Sequence, residues 1–173
     1  MSIECENKNL RVISIIPGTT VDGPGLRTSI YFSGCKHKCP HCHNPETWDF
    51  NAGKDWKIND IMEVVKKNDF DVTFSGGDPL YQDLTALSTL AKKIHSLGKT
   101  IWLYTGFVIE DLSENIKYKD ILSNVDVVVD GPFIIAKKNI DILFRGSTNQ
   151  RILQKNISGK WEIWEKYNDV ILS

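Results

Sequence analysis

Three of the four cysteines and three of the four histidines of the chain lie in one short segment, Cys35-Lys36-His37-Lys38-Cys39-Pro40-His41-Cys42-His43. Thiols and imidazoles packed this densely are metal-ligand or redox chemistry, and the segment fits four readings. An iron–sulfur cluster of the [4Fe–4S] type usually takes four cysteines. Held by Cys35, Cys39 and Cys42 alone, it would leave one iron open to a small molecule, and the C-x3-C-x2-C spacing lets a single loop wrap the cube. Three cysteines and a nearby histidine would instead close a tetrahedral zinc site. Cys39-Pro40-His41-Cys42-His43 also matches the C-x-x-C-H pattern of c-type haem attachment, which is expected with export. A dithiol redox pair at Cys39 and Cys42 leaves Cys35 without a role. Cys5 stands outside the motif and is read as a bystander.

The elements that must position this loop are readable from apolar patterning. Residues 10–16 read as a strand, residues 17–25 as a Gly/Pro-rich loop, and residues 27–32 as a second strand running into Ser33-Gly34-Cys35. Three further short strands are expected at 71–74, 100–104 and 125–129. They end in Ser75-Gly76-Gly77-Asp78-Pro79, in Thr105-Gly106 and in Asp130-Gly131-Pro132. Helical spacing recurs at 58–67, with Asn59 or Asp60 as N-cap, and from Leu84 to Leu97, with Gly98 as the closing glycine. Residues 108–116 read as a third helix. The alternation of strands and helices implies right-handed βαβ units and a parallel sheet. The length suggests a single domain over residues 1–173. A closed eight-fold barrel needs roughly 200 residues or more, so the expected fold is α/β with an open, partial barrel or a curved sheet. In such folds chemistry sits beyond the carboxyl ends of the strands, where these four loops would meet. A structural zinc site has no need of glycine-rich loops there, whereas an enzyme with a nucleoside-like cofactor does. Trp161, Trp164 and Tyr167 recur at a spacing compatible with either a helix or strands, and are read as core.

A formal net charge of −1 supplies no general attraction to nucleic acid or membrane. There is no apolar run of about 18 residues to cross a bilayer, and Met1-Ser2-Ile3-Glu4-Cys5 lacks the character of a signal peptide. A cytoplasmic protein with reduced thiols is expected.

The cysteine spacing followed by Ser75-Gly76-Gly77-Asp78 after the next strand resembles the radical S-adenosylmethionine (SAM) superfamily, with Asp78 where the wider superfamily often has Glu. Further words narrow the resemblance: Asp22-Gly23-Pro24-Gly25-Leu26-Arg27, His43-Asn44-Pro45-Glu46-Thr47-Trp48, Tyr104-Thr105-Gly106, Asp130-Gly131-Pro132-Phe133 and Arg145-Gly146-Ser147-x-Asn149-Gln150-Arg151. Together they are similar to the activating proteins of anaerobic (class III) ribonucleotide reductase. The resemblance runs from about Val12 to Arg151. It implies a [4Fe–4S] cluster on Cys35, Cys39 and Cys42, reductive cleavage of SAM to methionine and a 5′-deoxyadenosyl radical, and hydrogen abstraction from a backbone glycine of the large reductase subunit. It also implies a reduced flavodoxin-like electron donor. The residues it suggests for cofactor contact are His41 against adenine, Cys42, His43, Asn44, Gly76 and Gly77 through their backbone, Asp78 on the SAM ammonium, and Tyr104, Thr105 and Asp130. Arg145 and Arg151 are expected in structural ion pairs. Competing readings are an activase of another glycyl-radical enzyme, a small radical SAM enzyme acting on a metabolite, and a non-catalytic zinc-binding module.

Overall fold

The computed structural model describes residues 8–168, and Cys5 lies outside them. The strands in chain order are β1 (Asn9–Thr19), β2 (Arg27–Phe32), β3 (Lys54–Lys57), β4 (Asp71–Gly76), β5 (Ile101–Tyr104), β6 (Val127–Asp130), β7 (Arg151–Lys155) and β8 (Trp161–Ile163). The α-helices are α1 (Ile58–Asn68), α2 (Leu84–His95), α3 (Ile109–Glu114), α4 (Lys119–Ser123) and α5 (Glu165–Asn168). All strands join one sheet in the order β3-β1-β2-β4-β5-β6-β7-β8. No helix among the described residues is long and apolar enough to cross a membrane.

The expected parallel sheet is realised only in the centre, where β2, β4, β5 and β6 run parallel. The flanking strands are antiparallel, so the sheet is mixed. The reason is connection length. A parallel neighbour requires a crossover of a dozen or more residues, and the turn between β1 and β2 is shorter than that. The chain therefore folds back as a hairpin. Pro17 falls inside β1, beyond the stretch covered by β3 and next to a register shift. Its missing N–H is tolerated at such an edge.

Each central strand alternates between two faces. Ile30 and Phe32, Val72 and Phe74, and Ile101 and Leu103 point to the side covered by α1 to α4, where they form the main apolar core. The intervening residues, Ser29, Tyr31, Thr73, Ser75, Trp102 and Tyr104, point to the other side and are largely polar or aromatic. A smaller core forms there from Trp102, Val127, Val129 and Ile152, with Phe144, Trp164 and Tyr167 against them. Both options for the C-terminal aromatics are thus used: Trp161 lies in β8 and Tyr167 in α5, and Trp164 and Tyr167 sit 6.1 and 5.9 Å from the Trp102 ring.

At the opposite end of the strands from the cysteines, Arg27 is 1% exposed. Its guanidinium donates to the Thr73 hydroxyl (2.7 Å), the Val72 carbonyl (2.6 Å) and the Thr100 carbonyl (3.2 Å). A buried cation is tolerable only when its donors are satisfied in this way. The bonds fasten β2, β4 and the entry to β5 together.

Helix boundaries follow burial. α1 begins at Ile58, which is fully buried, and Lys57 occupies the cap position without a side-chain bond, in place of the expected Asn59 or Asp60. α2 ends at His95, and Gly98 follows it in a left-handed turn at φ 72°. At its start the Asp83 carboxylate accepts the N–H groups of Thr85 and Ala86, both at 2.9 Å. Asp83→Ala removes this cap, worth about 1 kcal/mol. The midpoint of thermal unfolding should fall by about 2–4 °C.

Candidate iron–sulfur and cofactor site

The loops that leave β2, β4, β5 and β6 meet beyond the carboxyl ends of these strands, around a cavity of about 430 Å³. That is within the size range of pockets that hold a cofactor. Cys35, Cys39 and Cys42 all line it, and all three are free thiols. The loop turns back on itself through left-handed backbone at Lys38 (φ 47°) and His41 (φ 59°), a conformation that costs a non-glycine residue roughly 1–2 kcal/mol. Its entry is held by backbone bonds from Gly34 N–H to Thr47 O (2.7 Å) and from Cys35 N–H to Trp48 O (3.2 Å).

Burial pushes the Cys35 thiol pKa up, opposed by the nearby backbone N–H groups of His37 and Lys38. Burial likewise raises Cys39, opposed by the backbone N–H of Phe133. Asn44 donates its N–H to the Cys42 sulfur at 3.4 Å. Backbone N–H groups near the sulfurs are the kind of outer support a thiolate cluster ligand receives. Among the described residues no group of three or more His, Cys, Asp or Glu side chains is gathered about a point where a single metal ion would sit, and a structural zinc site requires such a group. Three thiols distributed around one cavity wall fit a cluster that spreads its ligands over the corners of a cube.

Asn44, Gly76, Gly77, Tyr104, Thr105 and His43 line the same cavity, as the sequence suggests. The glycines, however, are demanded first by the protein itself. A Cβ on Gly76 would lie 2.5 Å from the Phe32 carbonyl oxygen, and one on Gly77 2.6 Å from that of Gly34. The loops after β2 and β4 are backbone against backbone, with Asp78 N–H bonded to Gly34 O at 3.0 Å.

Three expected contacts are placed elsewhere. His41 is exposed and outside the cavity wall, while His43 lies in it, with its ring 5.0 Å from that of Phe133. Asp78 is 0% exposed, with its carboxylate engaged. One oxygen accepts the Leu80 N–H (3.0 Å) and the other meets the Thr105 hydroxyl (2.8 Å), the Gly106 N–H (3.0 Å) and His37 Nε2 (2.9 Å). Asp130 is also 0% exposed. It accepts the Ile109 N–H at 2.8 Å and pairs with Arg151 at 3.0 and 2.5 Å. A carboxylate leaves water only when its lone pairs are filled, and here the chain fills them. Both aspartates are supports of the loops behind the cavity.

Arg151 forms the expected structural ion pairs, to Asp130 and to Glu110, and its bonds to them hold its pKa above the usual arginine value. Arg145 donates to the carbonyls of Tyr167 (3.1 Å) and Asn168 (2.9 Å) in α5. The sequence reading passed over His37, Asp22 and Tyr31, which also line the cavity. The Tyr31 hydroxyl bonds the Asp22 carboxylate, and burial together with that bond raises the tyrosine pKa. The signal for Asp22 was present in the Asp22–Arg27 word, without a role attached. Tyr104 donates to the Phe144 carbonyl at 2.9 Å, and burial raises its pKa as well.

Residues 21–153 match a family model described as a 4Fe-4S single cluster domain, so the cysteine loop belongs to the class of single-cluster iron–sulfur proteins. The anaerobic ribonucleoside-triphosphate reductase-activating protein of Enterobacteria phage T4 is 38% identical over 86% of this chain and 96% of its own length. Its namesake from Escherichia coli (strain K12) is 35% identical over 78% of this chain and 92% of its own. The chain belongs to the family of anaerobic ribonucleoside-triphosphate reductase-activating proteins. Among solved structures, QueE from Escherichia coli aligns with a TM-score of 0.44 at 18% identity, over 57% of this chain and 52% of that one.

Replacing Arg151 by Leu strands the Asp130 carboxylate in the interior with only the Ile109 N–H. Removing one partner of a buried pair typically costs about 3 kcal/mol or more. Urea unfolding should show a loss near the lower figure, because Arg151 is one-third exposed. Adding Asp130→Asn, which removes the stranded charge, should restore part of it.

Proposed function

We propose that the chain is a radical SAM activase. It holds a [4Fe–4S] cluster through Cys35, Cys39 and Cys42, cleaves SAM reductively and generates a glycyl radical on the large catalytic subunit of anaerobic ribonucleotide reductase. The observation that carries the reading is the meeting of three free thiols and three glycine-bearing strand ends on one cofactor-sized cavity. Family membership at 35–38% identity to reductase-activating proteins supports the choice of partner.

The bound cluster supplies the electron that splits the S–C5′ bond of SAM, so the hard chemistry belongs to the cofactors. The protein orients and shields. The backbone at Gly76–Gly77 and the side chains of Asn44 and Thr105 face the space SAM would fill. His43 beside Phe133 offers an aromatic wall for adenine. Tyr104, Phe133 and Phe144 exclude water from a reactive carbon radical. A folded partner must present its glycine segment at the open end of this cavity, and the open βα barrel of the radical SAM type leaves that end accessible. A reduced flavodoxin-like protein in the cytoplasm is the electron donor in this reading.

The test is anaerobic purification, reconstitution with iron and sulfide, reduction, and an assay for 5′-deoxyadenosine, followed by electron paramagnetic resonance of the reductase subunit. The parent chain should cleave SAM and leave a glycyl radical on the reductase, and Cys39→Ala should do neither. Bound zinc without sulfide, and no cleavage, would overturn the activity. Cleavage with a radical appearing only on a different glycyl-radical enzyme would overturn the partner.

A further inference from the structure

Between the first two cysteines the loop reads Lys36-His37-Lys38. The two lysines are exposed, whereas His37 turns inward, its side chain 18% exposed against 1% for Asp78. His37 Nε2 lies 2.9 Å from Asp78 Oδ2, the oxygen that also accepts from Thr105 and Gly106. With every other partner of that oxygen a donor, the ring nitrogen is assigned as an N–H donor too. The ring is closely fitted. Phe107 meets it edge-on at 4.6 Å, Tyr81 lies at 5.6 Å, and a Cβ added to Gly106 would stand 2.5 Å from its Cδ2. His37 stands two residues after Cys35 and two before Cys39. One side chain therefore ties the loop between two candidate cluster ligands to the buried carboxylate of the glycine loop.

We propose that His37 is a positioning residue for the cluster: its ring, bonded to Asp78, holds the backbone between Cys35 and Cys39 in place and so couples the cysteine loop to the loops after β4 and β5. This rests on the cluster reading above. Outer-shell partners of this kind are commonly worth 10–100-fold in metal retention or activity. Gly106 is glycine for the same reason, since a methyl group there would push the ring away from Asp78.

Four proteins test this: the parent, His37→Leu, His37→Gln and Gly106→Ala. Leucine keeps bulk but has no donor, and the glutamine amide can place an N–H near the position of Nε2. Gly106→Ala displaces the ring and leaves every side-chain donor in place. The readouts are the rate of iron loss from the reconstituted cluster to a chelator and thermal unfolding of the cluster-free protein. His37→Leu and Gly106→Ala should speed iron loss by about 10–100-fold, and both should lower the midpoint of cluster-free unfolding because the buried Asp78 carboxylate loses a partner. His37→Gln should hold both quantities near the parent. If His37→Leu fails to fold, Gly106→Ala carries the test. Unchanged iron loss in a folded His37→Leu or Gly106→Ala protein would overturn the proposal. So would a His37→Gln protein as impaired as His37→Leu, which would make ring packing the only role. A parent that assembles no cluster would overturn the proposed function and this inference together, whereas a normal parent with indifferent variants would overturn this inference alone.

Discussion

The buried carboxylate of Asp78 is the point at which the working end of the molecule is tied together. Four groups converge on it from the cysteine loop, from the turn after β4 and from the loop after β5. An unpaired carboxylate in this position would be expensive to keep ionised away from water. Once its partners are supplied, the same low dielectric makes each bond count for more. The three loops must therefore take up this arrangement together or forgo the carboxylate's desolvation altogether. That mutual dependence converts three separately mobile connections into one wall facing the cavity.

The sheet makes this convergence possible. Only parallel neighbours deliver successive loops to the same end, and β2, β4, β5 and β6 are parallel because each is joined to the next by helical segments packed on one face. The uncovered face keeps alternate residues for other uses: Arg27 at the amino ends, Tyr31 and Tyr104 nearer the cavity. Charges are buried at both ends of the strands and neutralised locally. Arg27 is satisfied mainly by carbonyls and a hydroxyl, Asp78 mainly by N–H donors and a hydroxyl, and Asp130 by Arg151. The aromatic group of Trp102, Trp164 and Tyr167 closes the far side of this face, which accounts for the tail that spacing alone left undecided.

Two glycine arguments have different origins. Gly76 and Gly77 line the cavity, yet their lack of a Cβ is already required by the Phe32 and Gly34 carbonyls packed against them. Their type thus reports the close approach of two loops as well as the space for a ligand. Gly106 reports the seat of an imidazole. A motif read only as cofactor contact would miss that its residues first have to build the wall.

Sequence by itself determined the elements and the chemistry. The apolar patterning placed β2, β4, β5 and β6 and the two long helices, because period and burial are local consequences of side-chain type. The cysteine spacing and the strand-end words marked the candidate cluster loop and pointed to the family, because ligand type and order are written along the chain. Tertiary structure alone decided which polar residues face the cavity and which hold it from behind. Asp78 and Asp130 read as cofactor contacts until their hydrogen-bond partners, distant in sequence, are seen to consume them. His37 read as one histidine among three, since nothing local distinguishes an imidazole turned inward from one turned to solvent like His41. The antiparallel flanks were hidden for a related reason: strand direction depends on whether a connection is long enough to cross over, and β3 was too short to announce itself. Partners brought together from across the chain select among roles that residue type leaves open.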